Sequence, residues 1–159
     1  MYTILLLTED ALLPHDAQRV ADLHGDEQID VHVLIPADAE HNRLIEALDE
    51  VALGNLRDAI DDDDAPTPEE AEQEAMHAVN ESLALLKGAG VEAHGSVTGS
   101  DPVPAAVEAA THDDADEVIV VTPPHIIEDG LHRDWASRLR DELQLPVLHV
   151  VSGTDRLVR

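Results

Sequence analysis

Glu9-Asp10 sets two carboxylates directly behind the apolar run Ile4-Leu5-Leu6-Leu7. Such a pair at a strand end can hold magnesium beside a phosphorylated group. That chemistry also needs a lysine after the last strand, where this chain has Ser152-Gly153-Thr154, and its single lysine is Lys87. The pair therefore reads as carboxylates capping and solvating a strand end. His125, His132 and Asp134, with Glu128 or Asp129, supply the imidazoles and carboxylates that a metal-dependent enzyme would use. No ligand spacing such as H-E-x-x-H joins them, and ten histidines are scattered through the chain. The alternative is a polar helix entry, in which His125 or Asp129 caps and His132-Arg133-Asp134 form local ion pairs. Arg133 beside a helix start is a contact for one anion, or a partner of Asp134 or Glu128. Trp135 falls on a four-residue stripe and reads as core, with an aromatic shelf for a ligand as the other option. No Ser-His-Asp order or nucleophile elbow is present. The absence of cysteine excludes thiolate nucleophiles, disulfides and cysteine-based zinc sites.

Nine Lys and Arg against 35 Asp and Glu give a formal charge of -26, a field that repels phosphate backbones and anionic lipid alike. Neither nucleic acid nor a membrane is an expected partner. The acidic excess and lysine scarcity fit a protein kept soluble in concentrated salt and equally one from a GC-rich genome. No apolar run approaches the roughly 18 to 20 residues of a membrane helix, and Met1-Tyr2-Thr3 leads into the first strand without a basic leader. A cytoplasmic location is expected.

The elements that must position these residues follow from periodicity. With 159 residues, the chain suits one domain. Ile4 to Leu7 is too short for a helix and apolar throughout, as in a strand buried on both faces. Pro14 to His24 reads as a helix carrying Ala17, Val20, Ala21 and His24 on one face. Val31 to Ile35, stopped by Pro36, is a second strand, and the stripe from Leu44 to Ile60 a second helix. Asp61-Asp62-Asp63-Asp64-Ala65-Pro66 is a self-repelling connection. Thr67-Pro68-Glu69-Glu70 then supplies a cap, a first-turn proline and a capping-box glutamate, so a long helix starts there and stops around Gly88 to Gly90. Val91 to Val97 alternates as a third strand, Asp101-Pro102 opens a helix through Ala110, and Glu117 to Thr122 is a fourth, fully buried strand ended by Pro123-Pro124. A helix carrying Leu131, Trp135, Leu139 and Leu143 yields at Pro146 to a last strand, Val147 to Val151. Such alternation makes a doubly wound parallel α/β sheet with helices on both faces.

The opening Ile4-Leu5-Leu6-Leu7, the helix ending Leu85-Leu86-Lys87-Gly88-Ala89-Gly90-Val91, and Asp101-Pro102 through Ala110 follow an order that resembles the universal stress protein family. Ala115-Asp116-Glu117-Val118-Ile119-Val120-Val121 and Leu145-Pro146-Val147-Leu148-His149-Val150-Val151 complete it, so the likeness runs from Tyr2 to Ser152. The resemblance implies a single-domain, adenine nucleotide alpha hydrolase-like (Rossmann-like) fold over residues 1–152, strand order 3-2-1-4-5, and a short tail at 153–159. In one branch of the family an ATP site lies between the ends of strands one and four, where open α/β sheets bind ligands in general. The corresponding cleft here is lined by Thr8, Glu9, Asp10, Ile35, Pro36, Thr122, Pro123 and His125, and closed by His132, Arg133 and Asp134.

The nucleotide-binding branch carries G-x2-G-x9-G-[ST] after strand four, because glycines let backbone N–H groups approach phosphates. Between Gly99 and Gly153 this chain has only Gly130. Arg133 and Asp134 fall about where the closing Gly and Ser/Thr would stand, and Glu9 near the acidic residue that would contact ribose. The resemblance thus implies the branch without the motif: a stress-response binding or interaction module with no cofactor, open to a small-molecule ligand, rather than an enzyme. An adenine nucleotide on a degenerate site is the alternative, and a metal-dependent enzyme using His125 and His132 a further one. Val147 to Val151 is expected at a sheet edge, pairing through Val147, His149 and Val151 with a second copy of the chain.

Overall fold

The computed structural model describes residues 1–37, 67–123 and 135–154. The stripe from Leu44 to Ile60, the acidic connection before Thr67, and the segment from Pro124 to Asp134 lie outside the described residues.

Five strands form one parallel sheet in the order β3-β2-β1-β4-β5. β1 (Tyr2–Thr8) sits at its centre between β2 (Ile29–Pro36) and β4 (Glu117–Thr122). That placement follows from composition, since only a strand flanked on both sides and covered on both faces can bury four consecutive large apolar residues. Ile4, Leu5, Leu6 and Leu7 are at most 1% exposed. Ile4 and Leu6 enter one core with Val31, Val33 and Val79, while Leu5 and Leu7 enter the other with Val118, Val120 and Trp135. β3 (Glu92–Thr98) and β5 (Val147–Val151) are the two edges.

α1 (Pro14–Asp22) and α2 (Pro68–Gly88) contribute to the first core, α3 (Val103–His112) and α4 (Trp135–Glu142) to the second. Right-handed crossovers require this division when the chain runs outward from β1 to β3 and then returns to β4 and β5. The capping box at Thr67 is formed: the hydroxyl accepts from Glu70 N–H at 3.2 Å, and the Glu70 carboxylate accepts from Thr67 N–H at 3.4 Å. α2 ends as its sequence announces, with Gly90 at φ 86° and Val91 N–H donating to Leu86 O at 3.0 Å.

Some boundaries move. α1 stops at Asp22 rather than His24, and His24 leaves the helix to stack on Tyr2, with ring centroids 4.0 Å apart. β3 starts and ends one residue later than the alternation indicates. Pro102 takes the cap position of α3, and the Asp101 carboxylate accepts from Val103 N–H at 3.3 Å. No helix among the described residues is long and apolar enough to cross a membrane.

Candidate functional site

β1 and β4 lie side by side, and the chain leaves them toward opposite edges, so their carboxyl ends flank a topological switch point. Thr8, Glu9, Asp10, Thr122 and Pro123 stand there. The Thr8 side chain is buried, donating to Asp10 O at 2.7 Å and accepting from Asp10 N–H at 3.4 Å, which turns the chain immediately behind the strand. The Asp10 carboxylate accepts from Ala11 N–H at 3.1 Å. Thr122 is buried too, and its hydroxyl shares a 2.9 Å hydrogen bond with His149 Nε2. Glu9 is half-buried and Asp10 exposed. Ile35 is buried in the core of α1 and α2, and half-buried Pro36 pairs with Thr98 at the end of β2. His125, His132, Arg133 and Asp134 lie outside the described residues. In the described part of the cleft, both hydroxyls are engaged within the protein and the two side chains after β1 are carboxylates.

At the β5 edge, Val147 is half-buried, whereas His149 and Val151 turn their side chains into the protein. Ser152 N–H donates inward to Thr122 O at 2.9 Å. Backbone groups alternate sides along a strand, so the His149 and Val151 N–H groups point outward. The Val147 carbonyl already accepts from Arg140 Nη2 at 3.1 Å.

Behind the cleft, Asp16 carries a feature that its place on α1 conceals in the sequence. Its carboxylate is 3% exposed and accepts from Leu13 N–H at 3.0 Å, Ser152 Oγ at 2.7 Å and Gly153 N–H at 2.8 Å. Arg19 Nη1 donates to Thr154 O at 2.6 Å nearby. The residues after β5 are thereby fixed to α1.

Two polar clusters lie away from the cleft. At the amino ends of β1 and β4, Glu117 Oε2 is 2.9 Å from His24 Nε2. Burial, and then the charge of Glu117 and the hydrogen bond to it, push the Tyr2 hydroxyl pKa above its ordinary 10.0. On the face of β2 and β3 opposite Val31 and Val33, His32 and His94 are register partners with ring centroids 4.4 Å apart. His32 Nδ1 donates to Asp113 Oδ2 at 2.6 Å, and Nε2 lies 3.3 Å from Ser96 Oγ. His94 Nδ1 is 3.6 Å from Asp30 Oδ1. Neither cluster is evident from local spacing, because its members come from separate elements. The signal was the alternation of Val31-His32-Val33, which turns His32 away from the core that those valines fill.

No family model matches the chain, and no curated protein matches it. Its fold is similar to that of several solved structures along almost its whole length. A hypothetical protein, MJ0577, superposes with a TM-score of 0.59 at 16% identity, over 96% of this chain and 97% of that one. A universal stress protein family protein from Arabidopsis thaliana, with AMP bound, gives 0.53 at 10% identity over 96% and 94%. A universal stress protein from Archaeoglobus fulgidus gives 0.51 at 16% identity over 96% and 95%. The likeness is one of fold: a parallel sheet ordered 3-2-1-4-5, as in universal stress proteins and the adenine nucleotide alpha hydrolase-like arrangement.

Proposed function

We propose that the chain is a universal-stress-like binding module of the cytoplasm that works as a homodimer and does not use ATP. The observation that carries this reading is the described rim of the switch point. Thr8 and Thr122 bond within the protein and the two side chains after β1 are carboxylates, Glu9 near the acidic residue that would contact ribose, so this part of the rim offers no side-chain donor to phosphate. The sequence supports the same reading, since Gly130 is the single glycine available between Gly99 and Gly153. Calorimetric titration with Mg-ATP is expected to show no micromolar binding; micromolar affinity overturns the reading. The AMP bound in the Arabidopsis thaliana protein favours a second reading, an adenine nucleotide with fewer phosphates, and a parallel titration with AMP separates the two.

The dimer would pair the β5 edges antiparallel about a twofold axis through the outward N–H groups of His149 and Val151. The Val147 carbonyl enters only if Arg140 releases it. Repulsion between two chains of charge -26 opposes association, and salt screens it over roughly 8 to 10 Å at ordinary ionic strength. Light scattering across a salt series should therefore show a dimer that strengthens with salt and is weakened by Val151→Pro, which removes an outward donor. A monomer at every salt concentration, or a dimer indifferent to the proline, overturns this interface.

A further inference from the structure

We infer that His32, His94 and Asp113 bind one divalent transition-metal ion of the Zn2+, Ni2+ or Co2+ class. A nitrogen or carboxylate oxygen from each of the three lies within 4.8 Å of those of the other two. Ligands sharing an ion at bond lengths of about 2.0 to 2.2 Å stand roughly 3 to 3.5 Å apart, so side-chain rotation would have to draw the set in to close it on an ion. The backbone beneath is already fixed. His32 and His94 face each other in the β2–β3 ladder. Asp113 ends α3 on a turn in which Asp114 takes φ 51° and Ala115 N–H donates to Ala110 O at 3.0 Å. A third element is thereby brought to a pair of adjacent strands.

The surroundings suit metal-binding imidazoles. Histidines that hold metal are commonly oriented by a carboxylate on the other ring nitrogen, and the Asp30 carboxylate, 3.6 Å from His94 Nδ1, is near enough to take that place after a small side-chain rotation. The His94 side chain keeps 53% of its exposure, leaving the site open to entry and to a further ligand from solvent. Two imidazoles and one carboxylate select borderline transition metals over Mg2+ and Ca2+, which take oxygen ligands. The charge of -26 concentrates cations at the surface in general, and the imidazoles give one place on it a chemical preference. A bound ion would clamp the edge strand β3 to β2 and to the end of α3.

The test uses the full chain stripped with a chelator and titrated with Zn2+ alone in a calorimeter. One tight equivalent is expected, undisturbed by excess Mg2+. His94→Ala, at an exposed position, should weaken it at least about 10-fold, as should Asp113→Asn. Nitrogen-resolved NMR of the imidazoles supplies a readout independent of affinity: His32 and His94 should move with the first equivalent while exposed His15 and His77 stay in place. Zn2+ affinity equal in the parent and His94→Ala, competition by Mg2+, or first-equivalent shifts confined to other histidines would each overturn the site.

Discussion

β1 and β3 lie two places apart in one sheet and meet opposite demands. In β1, Ile4 to Leu7 are held between neighbouring strands and between two helix layers, and each is essentially without solvent contact. An unpaired polar group in their place would cost several kcal/mol, on the order of 2 to 7. β3 has a partner on one side only, and its exposures alternate from Glu92 to Gly95. Gly95 lies beneath Val79, while His94 and Ser96 face His32 on the opposite side of the sheet. The centre fixes the fold and leaves no room for chemistry. The edge is covered on one face and carries imidazole and hydroxyl groups on the other.

That contrast can be broken in order of expected effect. Leu6→Ala should destabilise the protein most, by about 3 kcal/mol through lost burial and a residual cavity, read as a shift in urea midpoint. A loss below about 1 kcal/mol would mean that β1 is not the core strand. Gly95→Ala should cost about 1 to 3 kcal/mol, because the new Cβ would meet Val79 Cγ1 at 2.7 Å and Val33 O at 3.0 Å. Adding Val79→Ala should return part of that loss in a double-mutant cycle; strict additivity would show that Val79 is not the obstacle. His94→Ala, on the open face of the same strand, should change metal-free stability by no more than about 0.5 kcal/mol.

The smallest effect concerns pH at the amino end of β1. The Tyr2 hydroxyl is raised above 10.0 chiefly by burial and then by Glu117, so the fold favours its neutral form. Its contribution is fully present below the unfolded pKa and is lost as pH rises through the higher folded value. Since Tyr2 is the single tyrosine, ultraviolet titration should show phenolate appearing later in the folded than in the unfolded chain. Tyr2→Phe should remove that alkaline component of instability.

The same contrast decides what could be read from residues alone. Central strands announce themselves, because burial on both faces leaves uninterrupted runs such as Ile4 to Leu7 and Val118 to Val121. The long helix after Thr67 was legible for a different reason, since cap, proline and glutamate act on one another within a single turn. β3 was legible as a strand but not to the residue, for an edge with Gly95 and His94 carries a weak pattern. The general rule for such sheets points candidate chemistry to the cleft. Thr8 and Thr122 do reach it, but periodicity cannot reveal that Thr122 meets His149 or that Asp16 meets Ser152. The approach of His32, His94 and Asp113 likewise depends on register and on the end of a helix.

The Asp16 carboxylate joins groups 136 residues apart, at the start of α1 and just past β5. Closing so long a loop costs entropy that only an assembled sheet can offset, so this contact belongs to the last stage of folding. It behaves as a latch set after the frame is standing. Replacing Asp16 by Ala should therefore quicken unfolding in stopped-flow measurements and leave the refolding rate nearly unchanged. What the carboxylate governs is how long the finished chain stays shut.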